Sequence, residues 1–225
     1  MHSLKRLFFG FVLCCIGGLG YAQTFDCGAV LSLDYQKKII HGLSFTVGAE
    51  GRFDQKFTSF DRFKLAGSFH YTFWKKHFKA GVFGYYMLSN QHSFFENRGR
   101  IGGDFSFSQD IRNFSLEYRI RAQSTFFEEK HANHKFNPKT YLRNRLHLEY
   151  SFFSKPIKLY ASTEFFLRLY KKDDYFIDSF RTILGMSYRF DKQNSINIYV
   201  RADNEIQVKD PVHVFYLGID YKFKH

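Results

Sequence analysis

Charged residues recur at every second position in several segments of the chain, and their types and spacing limit the chemistry they could support. Between Phe114 and Phe127, one set of alternate positions is apolar at six of seven places, and the other set carries Glu117, Arg119 and Arg121. A β-strand sends successive side chains to opposite faces, so this pattern predicts a strand with one charged face. Arginine and glutamate on that face predict ion pairs, because the planar guanidinium meets a carboxylate through two hydrogen bonds.

Neighbouring segments repeat the pattern and predict a charge network inside a closed sheet. Its candidate members are Glu117, Arg119, Arg121, Arg143, Arg145, Glu149, Glu164, Arg168 and Arg181. The same faces also carry Glu50, Arg52, Arg98, Arg100, Asp104, Arg201 and Asp203. The favoured interpretation is a ladder of ion pairs that fills a narrow interior, with Glu117, Glu149 and Glu164 nearest to the arginines. The alternative is an anion-selecting pore, because the bases outnumber the acids.

A second group of residues has the types that an acyl-transfer site needs. His147 and Glu149 share a face, and Ser162 and Glu164 lie on the next segment. A hydrolase or acyltransferase could use such a set if a nucleophile, a base and an acid met near one membrane face. The flanking arginines favour a salt-bridge ladder instead, so no catalytic residue is assigned.

One run has metal-ligating residue types. Glu128-Glu129-Lys130-His131, together with His134, lies between two alternating segments. Without cysteine or a paired second cluster, the run is interpreted as a solvated loop. No metal and no other cofactor is predicted.

Eleven alternating segments identify the elements that must position these residues. They are Ala29–Lys37, Leu43–Phe53, Phe60–Phe73, Phe78–Leu88, Arg98–Ser108, Phe114–Phe127, Tyr141–Phe152, Ile157–Tyr170, Asp178–Phe190, Ile196–Glu205 and Val212–Phe223. Short turns alternate with longer loops, and aromatic residues collect at both ends of the segments, as membrane interfaces select. Most segments match or exceed the roughly 9–11 residues that cross a bilayer at a tilt. The predicted fold is all-β, a transmembrane antiparallel up-and-down β-barrel.

The number of strands does not follow from the alternation alone. Single-chain bacterial barrels have even strand numbers, so one of the eleven assignments conflicts with that rule. Either Ala29–Lys37 lies outside a ten-stranded barrel, or the short leader Gln23–Gly28 supplies a twelfth strand; ten is favoured. A soluble barrel would have the same alternation with its apolar face towards the lumen. It would then have to bury all the large apolar residues in one lumen, and a small barrel of about eight strands is already filled by its own side chains.

Residues 1–22 resemble a cleaved secretory signal. Lys5 and Arg6 begin it, an apolar stretch follows, and Gly20-Tyr21-Ala22 places small residues at the positions that a signal peptidase reads. The prediction is export through the Sec pathway and one domain over residues 23–225. Cys27 is then the single remaining cysteine, so no internal disulfide is expected.

The chain is basic, with a formal net charge of +12 that falls to +10 when the two basic residues of the signal are removed. The basic residues mostly alternate with large apolar ones along strands and form no patch, which argues against a nucleic-acid partner. The predicted partners are outer-membrane lipid, phosphate-bearing lipopolysaccharide and the outer-membrane assembly machinery.

Four runs of residues resemble an uncharacterised outer-membrane barrel family of Bacteroidetes-type bacteria, a domain of unknown function. The runs are Leu116-Glu117-Tyr118-Arg119-Ile120-Arg121, Tyr141-Leu142-Arg143-Asn144-Arg145-Leu146, Phe180-Arg181-Thr182-Ile183-Leu184-Gly185 and Leu217-Gly218-Ile219-Asp220-Tyr221-Lys222-Phe223. The likeness covers nearly all of the chain after the signal. It implies a barrel fold and an outer-membrane location, and it implies no established activity. The chain departs from the usual barrel ending, because Lys224-His225 follows the last aromatic residue.

The function predicted from the sequence is that of a small outer-membrane β-barrel protein of a Gram-negative bacterium. Its favoured role is structural or surface-interaction, with a lumen plugged by charge. A narrow, passive, porin-like channel that prefers anions is the alternative, and an outer-membrane hydrolase or acyltransferase is the least favoured.

Overall fold

The computed structural model describes residues 24–91, 93–128, 138–169, 177–206 and 211–225. In this part of the chain, eleven β-strands close into a single barrel, so the predicted all-β barrel is confirmed. The strands are β1 Thr24–Ile40, β2 Leu43–Asp54, β3 Ser59–Phe73, β4 Phe78–Asn90, β5 Phe95–Ile111, β6 Phe114–Phe127, β7 Lys139–Ser151, β8 Ile157–Leu169, β9 Ile177–Arg189, β10 Asn194–Glu205 and β11 Val212–Lys224. The described residues contain no helix that is long and apolar enough to cross a membrane. The predicted signal, residues 1–22, lies outside them.

The barrel closes through a parallel pair of strands. Sequence neighbours pair antiparallel all the way round, and β1 pairs in parallel with β11, from Thr24 opposite Val212 to Gln36 opposite Lys224. In an up-and-down barrel with an odd number of strands, the first and last strands run in the same direction, so only a parallel ladder can join them. A parallel pair is only slightly less stable per residue than an antiparallel one. The described residues form eleven strands, one more than the favoured ten, so the even-number rule does not apply to this barrel.

The segment Ala29–Lys37, which was predicted to lie outside a ten-stranded barrel, is part of β1, one of the longest strands described. β1 begins at Thr24, inside the predicted leader, and runs for 17 residues. Its alternation looks weak in the sequence because Val30 faces inward and is buried, whereas Leu31 and Leu33 on the outer face are exposed. β5 is also longer than predicted, since it extends at both ends over residues interpreted as loop and turn.

The two ends of the barrel differ in their connections. The turns at residues 41–42, 74–77, 112–113, 152–156 and 190–193 lie at one end, called here the turn end, and the other connections lie at the loop end. Clusters of aromatic rings surround both ends. Phe78 packs against Phe107 at the turn end with ring centroids 5.3 Å apart, and Phe53 packs against Phe60 at the loop end at 5.6 Å.

The barrel is apolar outside and polar inside. Among the described residues, five apolar side chains are buried, namely Val30, Phe83, Met87, Tyr199 and Tyr216, whereas forty large apolar side chains are exposed. The buried polar and charged residues include Asp104, Arg143, Glu164 and Arg201. The alternation of each strand therefore places its charges in the lumen and its leucine, isoleucine and phenylalanine side chains on the outer wall.

Large rings fill part of the lumen by lying over glycines of neighbouring strands. A Cβ atom added to Gly218 would lie 2.0 Å from Cζ of Tyr199, and one added to Gly185 would lie 2.5 Å from Cζ of Tyr160. Glycine is required at these positions because any side chain would collide with the ring. These two glycines on the polar face thus make room for tyrosine rings of the neighbouring strands.

Candidate functional site in the barrel lumen

The predicted charge network lies inside the barrel because its residues occupy alternate positions of neighbouring strands. Arg119 and Arg121 on β6, and Arg143 and Arg145 on β7, all face the lumen beside one another. Closure of the sheet turns these flat charged faces into a curved inner wall, so charges on distant strands come within reach. Glu164 of β8 completes this sector of the wall.

Glu164 is the acidic centre of the sector. It accepts a hydrogen bond from Nη2 of Arg119 at 2.7 Å and another from Nη2 of Arg143. Arg143 also donates from Nη1 to Oε1 of Gln123 at 3.1 Å. Glu164 is 4% exposed and Arg143 is 7% exposed, so this carboxylate and its partner are withdrawn from solvent.

Two further carboxylates are shared in the same way. Asp203 receives two hydrogen bonds from Arg181, at 2.6 and 2.9 Å, and a third from Arg201 at 2.8 Å. Asp61 receives one from Nε of Arg62 at 2.7 Å, and it is also bound by Arg52 of the preceding strand. Each of these acids therefore serves two guanidinium groups.

Two aromatic rings join these groups into a continuous structure. The guanidinium of Arg143 lies 4.4 Å from the ring centre of Phe166, and that of Arg181 lies 5.2 Å from the same ring. Further along the wall, Arg201 and Arg52 lie 4.4 and 4.9 Å from the ring centre of Tyr216. Guanidinium groups are attracted to aromatic faces and are less strongly hydrated than ammonium groups, which suits arginine to this enclosed setting.

Arg100 of β5 completes the set. Its Nε atom donates to Oγ1 of Thr125 at 2.9 Å, and its charge interacts electrostatically with those of Arg62 and Arg181. Among the described residues, no carboxylate lies within 4 Å of Arg100. We name this set the arginine belt, and it consists of Arg52, Arg62, Arg100, Arg119, Arg143, Arg181 and Arg201.

Ion pairs with one principal partner surround the belt. Arg121 donates twice to Asp104, at 2.6 and 3.1 Å, and once to the hydroxyl oxygen of Tyr85 at 3.0 Å. Arg145 binds Glu117. Asp104 also faces Nε2 of His70 at 3.5 Å. Glu117 also faces Nζ of Lys79 at 3.8 Å, and these pairs hold the strands of this part of the wall together.

Two of the predicted members lie apart from the others. Glu149 was expected beside the arginines, but it accepts a hydrogen bond from Nζ of Lys158 at 2.6 Å, towards the turn end. Arg168 lies near the loop end of β8, and no described carboxylate is an ion-pair partner of it. The remaining predicted members make the contacts given above.

Sequence reasoning missed three important members of the site. Asp61 occupies a position that the alternation of β3 assigns to the apolar outer face. The register between β2 and β3 shifts at this point, and the side chain of Asp61 lies in the lumen. Phe166 and Tyr216 are aromatic, and the sequence analysis assigned charged residues alone to the lumen network. Their positions in the alternation could have identified them as lumen residues, because Phe166 lies between Glu164 and Arg168 on the same face of β8.

The residues considered for acyl transfer do not form such a site. His147 lies directly opposite Ser162, yet no hydrogen bond joins them in the described structure, and the imidazole packs on Tyr160 with ring centroids 5.5 Å apart. Glu149 and Glu164 are occupied by basic partners, as described above. The structure therefore does not arrange a nucleophile, a base and an orienting acid from these residues.

The predicted loop run falls mostly outside the described residues, with Glu128 inside them and Glu129 to His134 outside. Within the described ranges, no group of three or more histidine, cysteine, aspartate or glutamate side chains could hold a metal ion.

Comparison with known proteins gives one match. A family model described as "Protein of unknown function (DUF2490)" matches residues 28–209, which span β1 to the end of β10 and the whole arginine belt. No curated protein matches the chain.

Proposed function

The chain belongs to the DUF2490 family, and we propose that it is a small outer-membrane β-barrel protein whose lumen is closed by its own charged and aromatic side chains. Its proposed role is structural or surface-interaction, without transport and without enzymatic activity. The proposal includes the cleaved signal over residues 1–22, export through the Sec pathway and an origin in Bacteroidetes-type bacteria.

The inverted distribution of apolar residues carries the proposal of a membrane location. Leu146 and Leu116 are 47% and 41% exposed, although they alternate along their strands with charged residues that face the lumen. Soluble monomers rarely expose contiguous apolar patches larger than a few hundred Å², whereas a bilayer requires an apolar outer wall. The aromatic clusters at both ends are typical of the two membrane interfaces. Lipid, lipopolysaccharide and the assembly machinery are the proposed partners.

The location is tested by fractionation and by gel mobility. We expect the native protein in the outer-membrane fraction, and we expect unboiled and boiled samples to migrate differently on an SDS gel because a folded barrel resists the detergent. Recovery of folded protein from the soluble periplasmic fraction would contradict the proposal.

The closed lumen is supported by the packing of the belt. A barrel of eight strands is just filled by ordinary side chains, so a barrel of eleven needs long ones. The belt supplies them, because Arg119 of β6 reaches past β7 to Glu164 of β8. Tyr199 and Tyr160 fill another part of the lumen over glycines.

A second candidate is a narrow anion-preferring channel, which the excess of arginine over acid in the belt favours. Single-channel recording in planar bilayers separates the two candidates. A closed lumen predicts conductance near zero for the native protein and for Arg143→Glu. An anion channel predicts measurable conductance, with the reversal potential of Arg143→Glu shifted towards cation selectivity and little loss of stability.

A further inference from the structure

We propose that the arginine belt binds a small, freely diffusing oxyanion of the phosphate class inside the lumen. The inference deepens the proposed function and rests on its closed lumen, but it does not depend on the membrane location. It follows from three observations, which are the charge balance of the belt, the donors left over in it and the carboxylate partners of the cations next to it.

The charge balance of the belt is positive. Its seven guanidinium groups have three carboxylates as ion-pair partners among the described residues, namely Glu164, Asp203 and Asp61. Among the described residues, the belt and its three acids therefore carry a net charge of +4, because six arginines share three carboxylates and Arg100 has none. Charges withdrawn from water are unfavourable unless they are paired, and like charges in one enclosure raise the penalty further. A bound anion would supply the missing negative charge.

Donor groups also remain available in the belt. Within the described part of the chain, the buried Nε atoms of Arg119, Arg143 and Arg201 have no hydrogen-bond acceptor, and the same is true of Arg145 next to the belt. Arg100 donates to the neutral hydroxyl of Thr125 alone among the described residues. Most buried donors in proteins have an acceptor, so several orphaned guanidinium nitrogens in one belt need an explanation. The planar fork of arginine matches the oxygen spacing of phosphate.

The described cations next to the belt have carboxylate partners. Arg121 pairs with Asp104 and Lys64 with Glu50, while Arg145 and the more exposed Lys79 share Glu117. An anion attracted into the lumen would therefore be held at the belt. The belt faces the lumen, and lipid would contact the opposite, outer wall, so the structure favours a soluble anion over a lipid headgroup.

The experiment measures the urea unfolding midpoint of the full protein in detergent, at constant ionic strength, while inorganic phosphate replaces chloride. A ligand that binds the folded state alone raises the midpoint with increasing concentration. We expect phosphate to do so saturably. For Arg100→Gln we expect about a tenfold weaker apparent affinity, from the loss of one charged donor. The midpoint of this variant without phosphate should not fall, because an unbalanced charge has been removed.

Two further variants keep the test decisive. Arg62→Gln removes a second belt charge and leaves Asp61 bound to Arg52, so it replaces Arg100→Gln if that variant fails to fold. Lys158→Gln removes one positive charge near the turn end, away from the belt, and should leave the phosphate affinity unchanged within about twofold.

Three outcomes would overturn the inference. They are a midpoint that phosphate and chloride affect equally, an equal loss of affinity in Lys158→Gln and in the belt variants, and stabilisation by phosphatidic acid in mixed micelles without any by inorganic phosphate. Failure of the membrane proposal would appear separately, in fractionation. Open conductance would count against the closed lumen while leaving the phosphate titration interpretable.

Discussion

Replacing Glu164 by glutamine tests whether the shared carboxylates of the belt hold the barrel together. Glu164 binds Arg119 and Arg143, and it is 4% exposed. Glutamine is close in size but uncharged, and its side chain has one oxygen acceptor for two guanidinium donors. The substitution therefore leaves two buried cations without their counter-charge and one of them without its hydrogen bond.

The expected loss of stability is large for a single substitution. Removing one partner of a buried ion pair typically costs about 3–5 kcal/mol. The lower part of this range applies if water reaches the lumen around Arg119, whose side chain is 11% exposed. The substitution also raises the surplus of the belt from four charges to five, which acts in the same direction.

Glu149 provides the matched control. It is also a lumen glutamate, but its single partner is Lys158, and their side chains are 23% and 35% exposed. Partly hydrated pairs of this kind contribute about 0–1 kcal/mol. Glu149→Gln should therefore change stability little, although the sequence alone placed Glu149 among the carboxylates nearest to the arginines.

The assay is urea unfolding of the protein in lipid vesicles, because urea is uncharged and does not screen ion pairs as a guanidinium salt would. Trp74 is the single tryptophan of the chain, and its ring lies 5.8 Å from that of Phe78 at the turn end, so its fluorescence reports the loss of this packing on unfolding. Equal losses in the two variants, or an unchanged midpoint for Glu164→Gln, would refute the reasoning that the shared carboxylates stabilise the belt.

The remaining predictions concern the lumen rings, the outer wall and the seam. Gly218→Ala should destabilise the barrel by about 1–3 kcal/mol, because the new methyl group collides with a lumen tyrosine ring 2.0 Å away. Leu146→Arg should cost about 2–4 kcal/mol in vesicles, because it places a charge on the outer wall, which the proposed membrane location exposes to lipid. Cysteines at Leu33 and Tyr221, in a Cys27→Ser background, should form a disulfide on oxidation, because β1 and β11 place these residues opposite each other.

Each of these predictions has its own control. Gly67→Ala should be neutral within about 0.5 kcal/mol, since no heavy atom lies within 4 Å of the added group. Phe153→Arg, at an 87% exposed position in a turn, should cost less than Leu146→Arg. Leu31 paired with Tyr221 should crosslink poorly, because the register offsets them by two residues. The reverse order in any of these comparisons would contradict the corresponding argument.

The sequence by itself determined most of the strands and the side of the wall that most of their residues occupy. The alternation in β6 predicts its bounds, Phe114–Phe127, to the residue, and it separates Arg119 and Arg121 from Leu116. This succeeded because the two-residue period of a strand is a local property that does not depend on which strands become neighbours. The length of β1 and its place in the barrel did not follow from the pattern, since Val30 interrupts its polar face.

The tertiary structure alone decided the ion-pair partners and the closure. Arg119 lies directly opposite Arg145, and Arg145 directly opposite Glu164, yet Arg145 binds Glu117 and Arg119 binds Glu164. Long side chains on a curved, twisted wall reach diagonally to other strands. The ion pairs therefore depend on the register and curvature of the sheet, and the sequence of a single strand determines neither. The same holds for the parallel seam at Gln36 and Lys224, because which strand meets β1 depends on how the whole sheet closes.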